Sequence, residues 1–254
     1  MGGFLSGLLG VGGGIIFVPI LDYFLTKNGV LQSDLVAYTL ANSFFAILIS
    51  GMVGSFSAFK SKSINLINLV SVAFSGIIFI LLISYFINSG TWYSPLVFKI
   101  VFSGMLILIL VKTAMHIETA QSEEKMSIGL GLIIGIITGV TAGLSGLGGG
   151  VVMIPLFMIL GKLTMRQASV LSLAVIPLLI LPNVIFYVCS KPVLSIANST
   201  GYIAWPIIIP LIIGVLITVK AGVKVAGRMS PKIIKAIFAT FMIITILKTL
   251  ASVI

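Results

Sequence analysis

Two runs of glycine interrupt apolar segments at equivalent places in this chain. The segment SGLLGVGGGIIFVPIL, residues 6–21, returns 136 residues later as AGLSGLGGGVVMIPLF, residues 142–157. Each glycine costs a helix about 1 kcal/mol relative to alanine, and three in a row leave the backbone free to depart from the helix. Hydrocarbon offers no hydrogen-bond partners, so a break inside a membrane must be buried in protein or line a cavity. The motif therefore predicts two buried helix breaks in related environments.

The composition is that of an all-α integral membrane protein. Of the 254 residues, 59% are hydrophobic and 8% are charged, and the mean hydropathy is +1.29, which excludes an ordinary soluble domain. Several charge-free runs exceed the roughly 20 residues that a helix needs to cross a bilayer. The formal charge of +10 comes from bases scattered over loops, so we interpret it as a topology signal and not as a nucleic-acid surface. No signal peptide is apparent, and we expect a multi-pass membrane protein.

The chain divides into two homologous halves. The segment SPLVFKIVFSGMLILILVKT, residues 94–113, falls on SPKIIKAIFATFMIITILKT, residues 230–249, at the same offset as the glycine motifs. We predict a first repeat over residues 1–116, a connector over 117–126 and a second repeat over 127–254. Each repeat contains a glycine-broken element and three helices. The predicted helices are Asp34–Phe59, Ile64–Asn88, Ser94–His116, Arg166–Cys189, Tyr202–Ala226 and Pro231–Val253.

The distribution of lysine and arginine favours an inverted repeat. If each glycine-broken element enters the membrane and returns on its own side, three crossings remain per half and the halves point in opposite directions. Of the 15 lysine and arginine residues, 11 then lie toward one face of the membrane and four toward the other. These four are Lys27, Lys99, Lys191 and Lys248. This asymmetry is what the positive-inside rule expects, and it places both termini outside the cytoplasm.

The glycines allow two interpretations. Glycines spaced by four, such as Gly10 with Gly14 or Gly146 with Gly150, let membrane helices approach closely. Three consecutive glycines instead favour a break, after which Pro19 and Pro155 fit the first turns of a restarted helix, although proline there could equally be a simple kink. The amino end of a restarted helix offers backbone N–H groups and a positive dipole, and it is therefore a site for an anion.

These motifs resemble those of the TauE/SafE sulfite exporter family, also called the TSUP family. The resemblance rests on GLLGVGGGIIFVPIL and GLSGLGGGVVMIPLF, duplicated in a chain of this length, and it covers the whole architecture. It implies a prokaryotic inner-membrane permease for small sulfur-containing anions such as sulfite or organosulfonates, often an exporter. The chain departs from the family in its abrupt beginning and in ANSF, residues 41–44, where a plainer small-residue helix is usual. The substrate does not follow from membership.

The candidate substrate site lies at the two breaks. We expect the backbone amides that follow Gly12, Gly13 and Gly14 in one half, and Gly148, Gly149 and Gly150 in the other, to hold an oxyanion. Expected side-chain donors are Asn42, Ser43 and Ser145.

The proposed donors have ordinary alternatives. Amides and hydroxyls in a helix bundle also serve as interhelical hydrogen bonds, and this applies to Asn42, to Asn183 and to the repeat pair Thr39 and Ser172. Lys99 and its counterpart Lys235 could attract an anion, but lysines near helix ends commonly extend to the headgroups.

The sequence therefore predicts an anion transporter and not an enzyme. Catalytic constellations, metal-ligand clusters and cofactor motifs do not occur in the sequence, and none of the five carboxylates lies deep in an apolar run as a proton relay would require. An anion channel, a transporter of a small carboxylate without sulfur and a membrane subunit of a larger complex stay open as alternatives. A homodimer also remains open.

Overall fold

The computed structural model describes residues 3–4, 12–59, 65–90, 92–114, 126–226, 229 and 231–251. This part of the chain is helical apart from one short hairpin. The helices are α1 Gly14–Lys27, α2 Gln32–Phe59, α3 Leu66–Ser89, α4 Pro95–Ala114, α5 Ile128–Ser145, α6 Gly150–Ile159, α7 Met165–Cys189, α8 Trp205–Ala226 and α9 Pro231–Ala251; the strands are β1 Ser199–Thr200 and β2 Ile203–Ala204.

The predicted helices are present, with bounds within about one turn of those expected from the sequence. The predicted ends at His116 and Val253 lie outside the described residues. Among the described helices, α2, α3, α5 and α7 are long and apolar enough to cross a membrane, while α4, α6, α8 and α9 contain shorter apolar stretches. The chain is an all-α, multi-pass membrane protein.

The helices α2 and α7, which follow the two glycine motifs, pack against each other at the centre of the molecule. Gly54 contacts Leu173, Gly51 contacts Ile176, and the rings of Phe44 and Tyr187 stack with their centroids 6.2 Å apart. As the contacts advance along α2 from residue 44 to residue 54, their partners on α7 go back from residue 187 to residue 173. The two helices therefore run antiparallel.

The start of α4 lies beside the end of α9. Lys99, near the start of α4, lines the same cavity as Lys248 and Thr249, near the end of α9. Both pairs, α2 with α7 and α4 with α9, join elements that match in the duplicated sequence.

A stripe of small residues joins α3 to α5. Along α5, the glycines 131, 135, 139 and 143 face Ser71, Ser75, Gly76 and Ile83 of α3. A Cβ atom added at Gly139 would meet the carbonyl oxygen of Gly76 at 2.5 Å, so the backbones touch. The close-packing interpretation of the glycines is therefore correct for Gly139 and Gly143, in the manner of small-residue contacts between membrane helices.

The second glycine motif folds into a helical hairpin. The helix α5 ends at Ser145, and α6 begins at Gly150. The end of α6 returns to the start of α5, because an added Cβ at Gly161 would lie 3.2 Å from the sulfur of Met126. At the closed end of the hairpin, Gly149 contacts Thr138 of α5.

The segment between α7 and α8 forms a short antiparallel hairpin that sequence analysis did not anticipate. Ser199 pairs with Ala204 and Thr200 with Ile203. Strands this short carry almost no period-2 signal. The hairpin covers the end of the bundle at which α2 begins.

Candidate functional site at two glycine breaks

The second break is built from glycines in the left-handed backbone conformation. Gly146 caps the carboxyl end of α5 with a φ of 70°, and Gly148 and Gly149 follow at 74° and 78°. Residues with a side chain are strained at such angles, whereas glycine is not. The helix α6 restarts directly after Gly149, whose carbonyl accepts hydrogen bonds from the backbone N–H groups of Val152 and Met153.

The first break repeats this geometry in the same register. Gly12 and Gly13 have φ values of 80° and 81°, and α1 begins at Gly14. Pro19 and Pro155 each lie inside the restarted helix, as the sequence predicts. The break interpretation is therefore correct for Gly12, Gly13, Gly148 and Gly149, because each starts or precedes a new helix.

The two breaks lie against each other. A Cβ atom added at Gly14 would lie 2.7 Å from both the Cα and the carbonyl oxygen of Leu147. The side chain of Ile47, from the middle of α2, contacts Gly12 and Gly148. The amino end of α1 thus packs on the second break, and Ile47 fills the space beside both.

Two serines of α2 hold the carbonyl groups of the breaks. The Oγ of Ser43 donates to the carbonyl oxygen of Gly146 at 2.8 Å, and the Oγ of Ser50 donates to that of Gly12 at 2.9 Å. The two serines are seven residues apart, about two helical turns, so they lie on one face of α2. Because the serines fix the carbonyl groups, they also fix the directions of the neighbouring N–H groups.

Ser50 was not among the residues selected from the sequence. Alignment of the two repeats could have identified Ser50 as a candidate. Ser50 and Asn183 occupy equivalent positions at an offset of 133 residues, as do Thr39 and Ser172.

The other predicted side-chain donors are already engaged within the protein. The Oγ of Ser145 donates to the carbonyl of Thr141 at 2.6 Å and accepts from the N–H of Leu147 at 3.3 Å. The amide of Asn42 donates to the carbonyls of Tyr38 and Tyr202. In this conformation Ser43, Ser145 and Asn42 therefore support the breaks and their surroundings, and a direct contact with substrate stays a prediction.

Other buried polar side chains have no partner. Within the described part of the chain, no hydrogen-bond partner reaches the hydroxyls of Thr39, Thr138 and Ser172 or either polar atom of the Asn183 amide. Thr138 contacts Gly149, and Thr39 lies one turn before Ser43. An unpaired buried polar group costs about 1–3 kcal/mol, so such a group near a break is a candidate ligand contact.

The interhelical hairpin is clamped to α2 by three side chains spaced one turn apart. Asp34 accepts from the N–H of Leu194 at 3.1 Å, and the hydroxyl of Tyr38 accepts from the N–H of Ile196 at 3.2 Å. Asn42 accepts from the N–H of Ala204 at 3.0 Å and donates to the carbonyl of Tyr202 at 2.9 Å. We call residues 194–204 the clamped hairpin. It covers the end of the bundle at which α2 begins.

Comparison with known proteins agrees with the duplicated glycine motif. Residues 1–249 match the model of a family described as sulfite exporter TauE/SafE. The chain belongs to this family. The TauE/SafE family is one of membrane transporters and not of enzymes, and the resemblance found in the sequence is confirmed.

Individual relatives are similar over nearly their whole lengths. A probable membrane transporter protein of Methanocaldococcus jannaschii is 27% identical over 245 residues, which are 94% of this chain and 88% of the relative. Another from Haemophilus influenzae is 28% identical, with 96% and 92% of the two chains covered. The probable membrane transporter protein YunE of Bacillus subtilis is 23% identical, with 95% and 91% covered. No solved structure matches this chain.

Proposed function

We propose that this TauE/SafE protein exports a small sulfur-containing anion, such as sulfite or an organosulfonate, across the inner membrane. The observation that carries the proposal is the contact between two glycine breaks from different halves of the chain, each followed by the start of a helix. The substrate class is suggested by the name of the family that matches the chain.

The anion binds between the breaks in this proposal. The first two N–H groups of α1 and of α6 precede the first hydrogen bonds of these helices, which Ile16 and Val152 make to the carbonyls of the N-cap glycines, and those glycines have no side chains. Together with the positive ends of the two helix dipoles, these groups suit an oxyanion. The unpaired hydroxyl of Thr138, which contacts Gly149, adds a polar group beside the second break, and Thr39, Ser172 and Asn183 are further buried groups without partners within the described residues.

The two repeats, residues 1–116 and 127–254, are inverted relative to each other in this proposal. The antiparallel packing of α2 with α7 supports it, since these matching helices of the two halves point in opposite directions, and the meeting of the start of α4 with the end of α9 is consistent with it. The return of α6 to the start of α5 supports a re-entrant element. Breaks of this kind at a pseudo-two-fold axis are the arrangement that secondary transporters use for substrate sites.

Transport consists of movement of one repeat against the other, with the clamped hairpin as a closure at one end. Export of an anion from a negative cytoplasm requires no coupling ion, because the membrane potential supplies about 2.3 kcal/mol per charge per 100 mV.

The proposal is tested by flux measurements on the purified full-length protein in liposomes. Labelled methanesulfonate is loaded, a potential is imposed in each direction, and unlabelled sulfite, acetate and chloride are added as competitors. We expect saturable flux that follows the potential and that sulfite inhibits more strongly than acetate.

Three other results would contradict parts of the proposal. Stronger inhibition by acetate would point to a carboxylate transporter, and flux that does not saturate would point to an anion channel. Correctly inserted protein without flux of any sulfur anion would overturn the substrate class.

A further inference from the structure

A basic cavity of about 380 Å³ lies between α1 and the ends of α4 and α9. This is the cavity at which the start of α4 meets the end of α9, and it is not part of the proposed site at the breaks. Its lining residues are Val18, Pro19, Asp22, Tyr23, Thr26, Lys27, Phe98, Lys99, Phe102, Lys248 and Thr249.

Positive charge dominates the lining. Lys27, Lys99 and Lys248 carry three positive charges against the single negative charge of Asp22. The Nζ of Lys99 lies 3.7 Å from the Oδ2 of Asp22, with both side chains 18% exposed. The Nζ of Lys248 lies 5.6 Å from the centre of the Tyr23 ring. Lys99 and Lys248 therefore interact with groups of the cavity lining, which lysines that only extend to the headgroups would not do.

The remainder of the lining is apolar. Pro19 and the 53% exposed Tyr23 offer the surface on which a compact hydrocarbon group can pack, whereas Val18, Phe98 and Phe102 line the cavity with little accessible area. Phe102 and Val18 are almost fully buried. The cavity is therefore suited to a small organic anion, with its acid group at the lysines and its body against Pro19 and the ring of Tyr23.

One side chain separates the cavity from the second break. Val18 lines the cavity, and its Cγ2 lies 3.2 Å from a Cβ atom placed on Gly146. The carbonyl of that glycine is the one held by Ser43. The side chain of Val18 therefore stands between a ligand in the cavity and the proposed substrate site at the breaks.

The carboxylate of the cavity is present in the first half alone. The residue that corresponds to Asp22 in the second half, 136 positions later, is Met158. The first half therefore has a carboxylate at a position where the second half has an apolar side chain. The carboxylate of Asp22 lies where the acid group of a ligand would meet Lys99.

We propose that the basic cavity is a second binding site for the transported organic anion, occupied before or after the site at the breaks. This rests on the proposed function as an anion transporter. The acid group of the ligand displaces the Asp22 carboxylate from Lys99, and movement of Val18 connects the cavity to the breaks.

The test measures the reactivity of a cysteine in the cavity and does not depend on flux. In a Cys189→Ser background, Thr26→Cys places a thiol in the cavity lining, and Ser89→Cys places one at an exposed helix end without a lysine nearby in sequence. The full-length protein in uncharged detergent is labelled with an anionic and with a cationic methanethiosulfonate reagent of similar size. Each rate is divided by the rate of the same reagent with a free thiol in solution, and the ratio of the two normalised rates reports the local potential.

We expect the anionic reagent to react about tenfold faster than the cationic one at Thr26→Cys, with no such preference at Ser89→Cys. Lys99→Gln should reduce the preference severalfold and Asp22→Asn should increase it. These opposite changes cannot both come from misfolding. Methanesulfonate should slow labelling at Thr26→Cys and leave Ser89→Cys unchanged.

Equal rates for the two reagents, or no protection by methanesulfonate, would overturn the second site. Protection by added phosphatidylglycerol but not by methanesulfonate would overturn it too, because the cavity would then bind a lipid headgroup. Selective, protected labelling in a protein without sulfonate flux would contradict the proposed function and leave the cavity standing as a binding site. Sulfonate flux without selective labelling would support the proposed function and overturn the cavity as a second binding site.

Discussion

Gly149 combines a left-handed backbone with a close neighbour. Its φ is 78°, and an added Cβ would lie 2.5 Å from the Cγ2 of Thr138. We predict that Gly149→Ala lowers the free energy of unfolding by about 1–3 kcal/mol and abolishes flux, because the break must change conformation to accept a side chain. Thermal unfolding in detergent and liposome flux measure the two effects.

Gly129 provides the matched control for this substitution. It lies in the first turn of α5, and an added Cβ there would meet nothing within 4 Å. Gly129→Ala should leave flux unchanged. Equal loss of flux in both variants would show that the break conformation is not specifically required.

Replacement of Asn183 should have opposite effects on stability and on transport. Its side chain is fully buried, and neither polar atom has a partner within the described residues. Replacement by leucine removes these unpaired groups at similar volume, so we expect Asn183→Leu to raise the free energy of unfolding by about 1 kcal/mol. If the amide contacts the substrate, the same variant should raise the KM for flux.

The contrasting variant is Asn42→Leu. The Asn42 amide makes hydrogen bonds to Tyr38, Tyr202 and Ala204, so this substitution should lower the melting temperature. An Asn183→Leu protein with unchanged KM would remove Asn183 from the proposed site.

At the scale of elements, the clamped hairpin depends on the hydrogen bonds of α2. Asn42→Ala leaves the carbonyl of Tyr202 and the N–H of Ala204 without their partner, a loss of about 2–4 kcal/mol for two buried backbone groups. We predict that amide hydrogen exchange in residues 194–204 accelerates much more than in α7. Tyr38→Phe, which removes the bond from the N–H of Ile196 and the longer contact with the Oγ of Ser199, should produce a smaller effect.

Asn28→Ala is the control for the hairpin experiment. Asn28 is exposed, and its amide donates to the carbonyl of Phe24 within the same turn. Exchange in the hairpin should not change in this variant. Uniform acceleration across the protein after Asn42→Ala would instead show general unfolding.

At the scale of the whole molecule, the inverted arrangement predicts which ends of the helices share a side of the membrane. The end of α3 and the start of α5 lie at opposite faces, since these helices pack in parallel. With Cys189 replaced by serine, a cysteine at Ser89 should react with an impermeant thiol reagent on intact cells, whereas one at Gly129 should react only after permeabilisation. Reaction of both from outside would contradict the proposed topology.

The sequence by itself determined the class of the molecule and the register of its breaks. Apolar length fixes which segments can cross a bilayer, and glycine weakens a helix wherever it occurs. Both effects are local, so they predicted the helices and the restarts at Gly14 and Gly150. Sequence spacing could not distinguish Gly143, which packs on α3, from Gly148, which adopts a positive φ, because both lie in the same motif.

Only the tertiary structure decided which side chain meets which partner. Ser43 reaches Gly146 over 103 residues of chain, and Asn42 reaches Tyr202 over 160. These partners depend on how each helix is rotated about its axis, which is set by close packing between distant segments. For the same reason Asp22 and Lys99, distant in the sequence, meet in one cavity, whereas the amide of Asn42 turns to the hairpin.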